Sequence, residues 1–382
     1  MQKKKILILH NILWAHYKSV LFQEIDKICP PDLEILVLQI AKNEIGRKSM
    51  ETSIKNEWQY SFHLLFDDYI ENIPLLAKIK ATLKFIIQYK PDVINITGYG
   101  VDPVMPIVII WAKLNNVKLV ISSESTSFDA GKSFLKEKFK SFLVDSAKGF
   151  ITFGSLSKQY LIELGANTDA FFVDNAAVVD DRKIKQIFDQ AKANKFEVRD
   201  LKTKHNFVYV GRFSPEKNLS LLLENFKKVK VNCPEASDWG LLMIGDGTEK
   251  AMIQSYVTEN QLNDVVFVPS IPWYEVPQYF TVSDCLLLTS NSEAWGLVVN
   301  EAMICGLPAI VSSQCGCAPD LIKSNGFVFD LKDPNSLFQA MLSMVKLSPE
   351  KRIDAQFKSL EIVKKFNVNA VANRIIECFH KI

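Results

Sequence analysis

Short apolar runs alternate with longer amphipathic segments along the first half of the chain. A continuous apolar run predicts a strand buried on both faces, and apolar residues spaced three and four apart predict a helix. The predicted strands are Lys5–Leu9, Leu33–Ile40, Val93–Thr97, Lys118–Ser122, Gly149–Phe153 and Phe171–Val173. The predicted helices are Val20–Ile28, Leu75–Gln88, Pro103–Leu114 and Leu135–Val144. Strands and helices in this alternation are typical of a parallel α/β sheet.

The same alternation stops in a charged segment at 180–204 and then begins again. The second set of predicted strands is Asn206–Val210, Gly240–Ile244, Val265–Val268, Cys285–Leu288, Ala309–Ser312 and Phe327–Phe329. Helices are predicted at Leu219–Val231, Lys250–Glu259, Leu297–Cys305 and Val368–His380. The fold class is therefore α/β, with two Rossmann-like doubly wound domains facing a central cleft.

The break in the pattern gives the domain boundaries. We predict a first domain over residues 1–178, a linker helix and connection over 179–204, and a second domain over 205–365. The amphipathic C-terminal helix, 366–382, is predicted to pack back on the first domain. Since open α/β sheets bind ligands at the carboxyl ends of their strands, the chemistry is expected in the loops that lead from strand to helix.

Composition excludes several classes of protein. The formal net charge of +2 argues against a nucleic-acid-binding protein, which would carry a strongly basic face. The N-terminal apolar run is too short for a signal peptide, and no apolar stretch is long enough to span a membrane. The expected location is the cytoplasm. The seven cysteines are scattered, and Cys315 and Cys317 lack a second ligand pair, so they are interpreted as small buried residues and no metal site is predicted.

Two loops of the second domain carry phosphate-binding features. Residues 210–218 combine a turn at Gly211 with the cations Arg212 and Lys217, and a guanidinium and an ammonium at a loop mouth suit a phosphate. Gly245 and Gly247 follow the next strand and permit close approach of the backbone to a ligand. Taken alone, either loop is as well explained by a solvated surface turn.

The strongest signal is the segment 290–303. It leaves a strand and enters a helix near Gly296, so the N–H groups of Gly296, Leu297 and Val298 are free to bind a diphosphate with the helix dipole. Glu293 precedes the helix and is suited to sugar hydroxyls. Glu301 lies inside an otherwise apolar helix, where a buried carboxylate requires a partner, and a ribose diol is one such partner.

The ordered set Gly211-Arg212, Glu216-Lys217, Gly245-Asp246-Gly247 and Glu293-x7-Glu301 resembles the retaining glycosyltransferase family 4, the GT-B glycosyl transferases of group 1. The resemblance covers 206–345 closely and the rest of the chain loosely. It implies that Arg212 and Lys217 hold the donor diphosphate, that Glu301 holds the ribose, and that Val268 and Pro269 border the base. It also implies retention of configuration, with neither a metal nor a cofactor, since the nucleotide-sugar is a substrate.

The first domain is expected to bind the acceptor, and here the chain departs from the family pattern. The loop after the first strand holds His16, Tyr17 and Lys18 in place of a glycine-rich turn. Many relatives place a histidine near the reacting sugar, and Glu124 stands at that position. We predict that Glu124 joins Glu293, Lys217 and Arg212 as a catalytic residue.

The acceptor side has further candidates in His16, Tyr17, Lys18, Tyr99 and Asp102, although a surface cap at the first loop and a tight turn at 98–102 explain them as well.

These residues predict a hexosyltransferase that uses a UDP- or GDP-sugar and a saccharide or lipid-linked saccharide acceptor, in the biosynthesis of a surface polysaccharide or another glycan. Two alternatives are a non-catalytic sugar-nucleotide-binding subunit and a nucleotide-cofactor oxidoreductase. The basic, aromatic helix 134–143 adds the hypothesis of peripheral contact with the inner face of a membrane.

Overall fold

A computed structural model describes residues 3–46, 59–99, 102–127 and 133–382. The chain forms two compact units, one of residues 1–179 with 365–382 and the other of residues 180–364. Each unit contains one sheet in which every described strand pair is parallel. The predicted fold class of two Rossmann-like α/β domains is confirmed.

The first unit has seven strands in the order β3-β2-β1-β4-β5-β6-β7. The strands are β1 (Lys4–Ile12), β2 (Leu33–Asn43), β3 (Phe62–Tyr69), β4 (Val93–Thr97), β5 (Lys118–Ser123), β6 (Gly149–Thr152) and β7 (Phe171–Val173). The helices are α1 (His16–Lys27), α2 (Leu75–Tyr89), α3 (Val104–Leu114), α4 (Phe134–Val144) and α5 (Ser155–Glu163). Helices α2 to α5 share one core with the sheet.

The second unit begins with α6 (Asp181–Ala193), and its six strands follow the order β10-β9-β8-β11-β12-β13. The strands are β8 (His205–Val210), β9 (Trp239–Ile244), β10 (Val265–Val268), β11 (Cys285–Leu288), β12 (Ala309–Ser312) and β13 (Gly326–Phe329). The helices that follow α6 are α7 (Leu219–Asn232), α8 (Lys250–Glu259), α9 (Val276–Phe280), α10 (Leu297–Ile304), α11 (Ala318–Leu321), α12 (Ser336–Val345) and α13 (Pro349–Val363). The order reverses between β8 and β11, which is where open α/β sheets bind ligands.

The C-terminal helix α14 (Val368–Lys381) returns to the first unit and packs on α1 and β7. Its apolar stripe is buried, including Val371, Ile375 and Phe379. Lys4 Nζ on β1 donates a 2.7 Å hydrogen bond to the carbonyl of Phe379. None of the helices in the described part of the chain combines the length and the apolar character that crossing a bilayer requires.

The sequence analysis misplaced the start of one helix and missed several other elements. Strand β3 was not predicted, because it is an edge strand whose half-exposed residues do not form an apolar run. Helix α1 begins at His16 and not near Val20, so His16, Tyr17 and Lys18 form its first turn and not a loop. Helices α5, α9, α11, α12 and α13 were also not predicted, and two of these are too short to show a helical period.

Candidate active site

The phosphate-binding loops predicted in the second unit leave adjacent strands and bind one another through the backbone. The N–H of Gly211 donates to Ile244 O at 3.0 Å, and the N–H of Phe213 donates to Asp246 O at 2.8 Å. The N–H of Gly245 in turn donates to the carbonyl of Val268 at 3.0 Å, ahead of the exposed Pro269. These bonds fix the predicted diphosphate and base segments as one surface at the carboxyl edge of the sheet.

The two cations of the first loop differ in exposure, since Arg212 is exposed and Lys217 is largely buried. Arg212 is 78% exposed, and its guanidinium lies 3.3 Å from Glu216 Oε1. The Ser214 hydroxyl donates to the same oxygen at 2.7 Å, and this hydrogen bond is the main cause of the lowered pKa of Glu216. Arg212 is therefore free to swing toward an anion, whereas Glu216 is a fixed part of the turn.

Lys217 is largely buried, and its Nζ forms an ion pair with Glu293 Oε2. Its backbone carbonyl accepts a 2.8 Å hydrogen bond from Thr289 Oγ1, so the first loop is tied to the segment that follows β11. The Ser290 hydroxyl lies 3.4 Å from Glu293 Oε2. Two residues predicted separately, one as a phosphate ligand and one as a sugar ligand, thus form one ion pair in the structure.

The Glu293 segment is held from behind by the loop at Cys315, Gly316 and Cys317. The N–H of Glu293 donates to Gln314 O at 3.2 Å, and the N–H of Gly316 donates to Glu293 O at 2.9 Å. A Cβ at Gly316 would lie 1.9 Å from the carbonyl oxygen of Ala294, so only glycine fits. Both cysteines are fully buried, and burial raises the pKa of each thiol. Nothing in the pattern of residues 315–317 indicated that this loop supports Glu293.

Helix α10 starts where the sequence places the diphosphate. Gly296 has φ +95°, and a Cβ there would also meet the side chain of Leu288 at 2.6 Å. Trp295 Nε1 donates to Asn300 Oδ1 at 2.8 Å inside the core, which fixes the approach to the helix. Leu297 and Val298 form the first turn, whose N–H groups have no acceptor within the helix.

Glu301 lies one turn further along α10 and is partly buried. Loss of water around it raises the pKa of the carboxyl to about 8. Among the residues that the structure describes, no hydrogen bond or ion pair engages this carboxyl. The sequence predicts a carboxylate that needs a partner, and the part of the chain that the structure describes does not provide one.

In the first unit, three predicted site residues meet. Lys18 Nζ lies 2.9 Å from Glu124 Oε1, and the Tyr17 hydroxyl donates to the same oxygen at 3.3 Å. The ammonium also lies 4.5 Å from the ring centre of Phe153. The Lys18 side chain is 7% exposed and that of Glu124 is 35% exposed, so the carboxylate faces outward and the lysine lies beneath it.

The remaining acceptor candidates occupy structural positions. Asp102 Oδ2 pairs with Lys78 at 2.6 Å in the interior, and its Oδ1 accepts from the N–H of Val104 at the start of α3. Tyr99 is buried in the core of the first unit, and His16 is the half-buried first residue of α1. Gly100 and Val101 lie outside the described residues. Acceptor binding by Tyr99, Asp102 and His16 stays a prediction.

Comparison with known proteins agrees with this geometry. Residues 190–371 match the family model described as glycosyl transferases group 1. The amylovoran biosynthesis glycosyltransferase AmsD of Erwinia amylovora is 27% identical over 279 residues, which are 72% of this chain and 74% of AmsD. The chain is a GT-B glycosyltransferase. An uncharacterized glycosyltransferase of Methanocaldococcus jannaschii is 24% identical over 335 residues, which are 83% of this chain and 89% of the relative.

Solved structures place the GT-B glycosyltransferase fold over the whole chain. Anabaena HepE, solved in complex with UDP and glucose, superposes with a TM-score of 0.73 and 18% identity, covering 99% of this chain and all of HepE. The predicted resemblance is confirmed as a GT-B glycosyltransferase, and its narrower assignment to family 4 stays a prediction. In the described part of the chain, no cluster of three or more His, Cys, Asp or Glu side chains is arranged to hold a metal ion.

Proposed function

We propose that this GT-B glycosyltransferase moves a hexose, with retention of configuration, from a UDP- or GDP-sugar to a saccharide or lipid-linked saccharide, in the biosynthesis of a surface polysaccharide or another glycan. The Lys217–Glu293 ion pair beside the start of α10 carries this proposal, since it joins a phosphate-binding cation to a sugar-binding carboxylate. The name of AmsD and the UDP and glucose bound to HepE support the substrate class.

In the proposed reaction, the bond between the anomeric carbon and the diphosphate oxygen breaks, and its electron pair stays on that oxygen. Lys217, Arg212 and the N–H groups of Gly296 to Val298 stabilise the negative charge of the leaving group. The acceptor oxygen forms the new bond on the same face of the sugar, and its proton passes to the departing phosphate. The reaction needs neither a metal nor a cofactor.

Glu293 has two partners available during the proposed reaction. In the structure, its carboxylate neutralises the ammonium of Lys217. A bound diphosphate competes for the ammonium because it carries more negative charge than the carboxylate. The carboxylate then becomes available to the hydroxyls of the donor sugar. Donor binding thus prepares both residues at once.

On the acceptor side, a carboxylate at Glu124 suits two roles, which are steering of an acceptor hydroxyl and stabilisation of positive charge on the sugar. The 2.9 Å contact with Lys18 neutralises much of its charge. Steering of a hydroxyl is therefore the role we propose, with Lys18 and Tyr17 orienting the carboxylate. Lys18 is too buried to be assigned to the acceptor itself.

A thermal-shift panel of UDP, GDP and NAD tests the donor class. We expect UDP or GDP to raise the melting temperature and NAD to have no effect, since a ligand that binds the native state stabilises it. Stabilisation by NAD alone would favour the oxidoreductase alternative. Incubation with UDP- and GDP-hexoses then tests catalysis, and NMR of the product gives the anomeric configuration. Nucleotide binding without hydrolysis or transfer would favour the non-catalytic subunit.

Replacement of Glu124 by glutamine tests the acceptor side. We expect transfer to the acceptor to fall by about 10- to 100-fold, because the amide replaces the charge-assisted hydrogen bond that orients the acceptor hydroxyl with a neutral one. Nucleotide affinity should stay within twofold, as measured by calorimetry. The matched control is Glu163→Gln on the exposed face of α5. Equal losses of nucleotide binding and transfer would contradict an acceptor-side role.

A further inference from the structure

Helix α4 presents its apolar residues outward. Phe134, Leu135, Phe139 and Phe142 are 71%, 78%, 46% and 46% exposed. A helix of a globular protein ordinarily turns such residues toward the core. Only Leu143 and Val144, at its C-terminal end, are buried.

The inner side of α4 carries one ion pair, between Glu137 and Lys140. Lys140 Nζ lies 2.8 Å from Glu137 Oε1, and the Tyr160 hydroxyl of α5 donates to Glu137 Oε2 at 2.8 Å. Lys140 also donates to that hydroxyl at 2.7 Å. These bonds hold α4 on the unit through polar contacts, so the outward apolar face is a fixed feature of the fold.

Lysines are interleaved with the exposed aromatic rings. Lys138 Nζ lies 4.7 Å from the ring centre of Phe134, and Lys113 Nζ on α3 lies 4.5 Å from that of Phe142. Leu114, next to Lys113, is 78% exposed. We name the outward side chains of α4 with Lys113 and Leu114 the α4 face.

We propose that the α4 face docks on the surface of an anionic membrane. The apolar side chains enter the boundary between headgroups and acyl chains, and the lysines contact lipid phosphates. Charge complementarity favours lipid over a second copy of the chain. The acidic residue of α4, Glu137, is turned inward, and Asp145 just beyond the helix lies 3.7 Å from Lys113. The outward side of α4 is left cationic, and two such sides would repel one another.

Co-sedimentation with vesicles tests this proposal without turnover, so its result is independent of the proposed function. We expect the full chain to bind vesicles of equal parts phosphatidylglycerol and phosphatidylcholine at about 50 mM salt, and to be released at about 500 mM. Vesicles of phosphatidylcholine alone should retain far less protein. Lys136→Gln/Lys138→Gln should weaken binding to the anionic vesicles by about 30-fold.

Leu135→Ser/Phe139→Ser tests the apolar contribution and should weaken binding at least tenfold. Ile353→Ser/Phe357→Ser is the matched control, since it removes a pair with the same spacing on α13 that is 53% and 64% exposed. Far-UV circular dichroism melts verify that all variants fold. The proposal is overturned if the wild type does not bind anionic vesicles at low salt, or if the α4 variants bind as the control does. Self-association that Leu135→Ser/Phe139→Ser abolishes, without vesicle binding, would assign the face to a second copy.

Discussion

Replacement of Lys217 by methionine is expected to lower kcat by about 10²–10³-fold, because the variant loses a buried cation that stabilises the departing diphosphate. The side chain is only 15% exposed, and methionine retains much of its apolar length. The donor KM should change much less than kcat, since Arg212 and the helix N-terminus still bind the diphosphate in the ground state. Initial rates over a donor concentration series separate the two constants.

The ion pair with Glu293 gives this prediction a second signature. Glu293→Gln should also lower turnover, and the double variant should lose less than the product of the two single losses, because the residues act as a pair. The control is Lys204→Met, which removes an exposed ammonium 2.9 Å from Asp238. Lys204 directly precedes β8 and Asp238 directly precedes β9, so both lie at the opposite edge of the sheet from the loops of the site. Wild-type kcat in Lys217→Met, or strictly multiplicative losses, would remove Lys217 and Glu293 from the proposed machinery.

The sequence could reveal the strands that carry the site because each is a continuous apolar run, which is buried on both faces in β4, β9, β11 and β12. Strands β4, β7 and β10 to β12 have the predicted bounds, since a continuous apolar run has a clear beginning and end. Strand β3 does not give this signal, because it is an edge strand with exposed polar residues such as Asp67 and Asp68. The start of α1 was misplaced because Lys18, a buried lysine, reads as a polar loop residue until its partner Glu124 is known.

Residues that support the site were harder to find than those expected to touch substrate. Lys217 and Glu293 are recognisable because charges beside turns suggest ligands, but their mutual ion pair spans 76 positions and depends on the fold. Gly316 has no chemical group to reveal it, and its function follows only from the backbone of Ala294 lying against it. Lys18 shows the same limit, since only the structure reveals its burial beneath Glu124, on which the proposed orienting role depends.

Glu301 gives the other large expected effect. The pKa of its carboxyl is raised to about 8 by loss of water, so at pH 7 most chains carry the proton. A ribose diol donates two hydrogen bonds, and the carboxylate accepts them better than the neutral acid. Nucleotide affinity should therefore rise by about tenfold between pH 7 and pH 9, and binding at pH 7 should release close to one proton. Calorimetry of UDP or GDP in buffers with different ionisation enthalpies measures both quantities.

Glu301→Gln should lower nucleotide affinity by about 10- to 100-fold above pH 8 and remove its rise with pH, since charge-assisted hydrogen bonds become neutral ones. The same substitution should raise the free energy of unfolding, although it lowers nucleotide affinity. A carboxyl whose pKa is raised in the folded state makes the wild type progressively less stable as pH rises from its unfolded pKa toward 8, by at most about 5 kcal/mol. The unliganded variant should therefore gain stability relative to the wild type between pH 5 and pH 9, measured by urea denaturation, whereas the exposed Glu259→Gln should not. A variant that keeps the wild-type affinity and its pH dependence would show that Glu301 is a packing residue of α10 and that the ribose binds elsewhere.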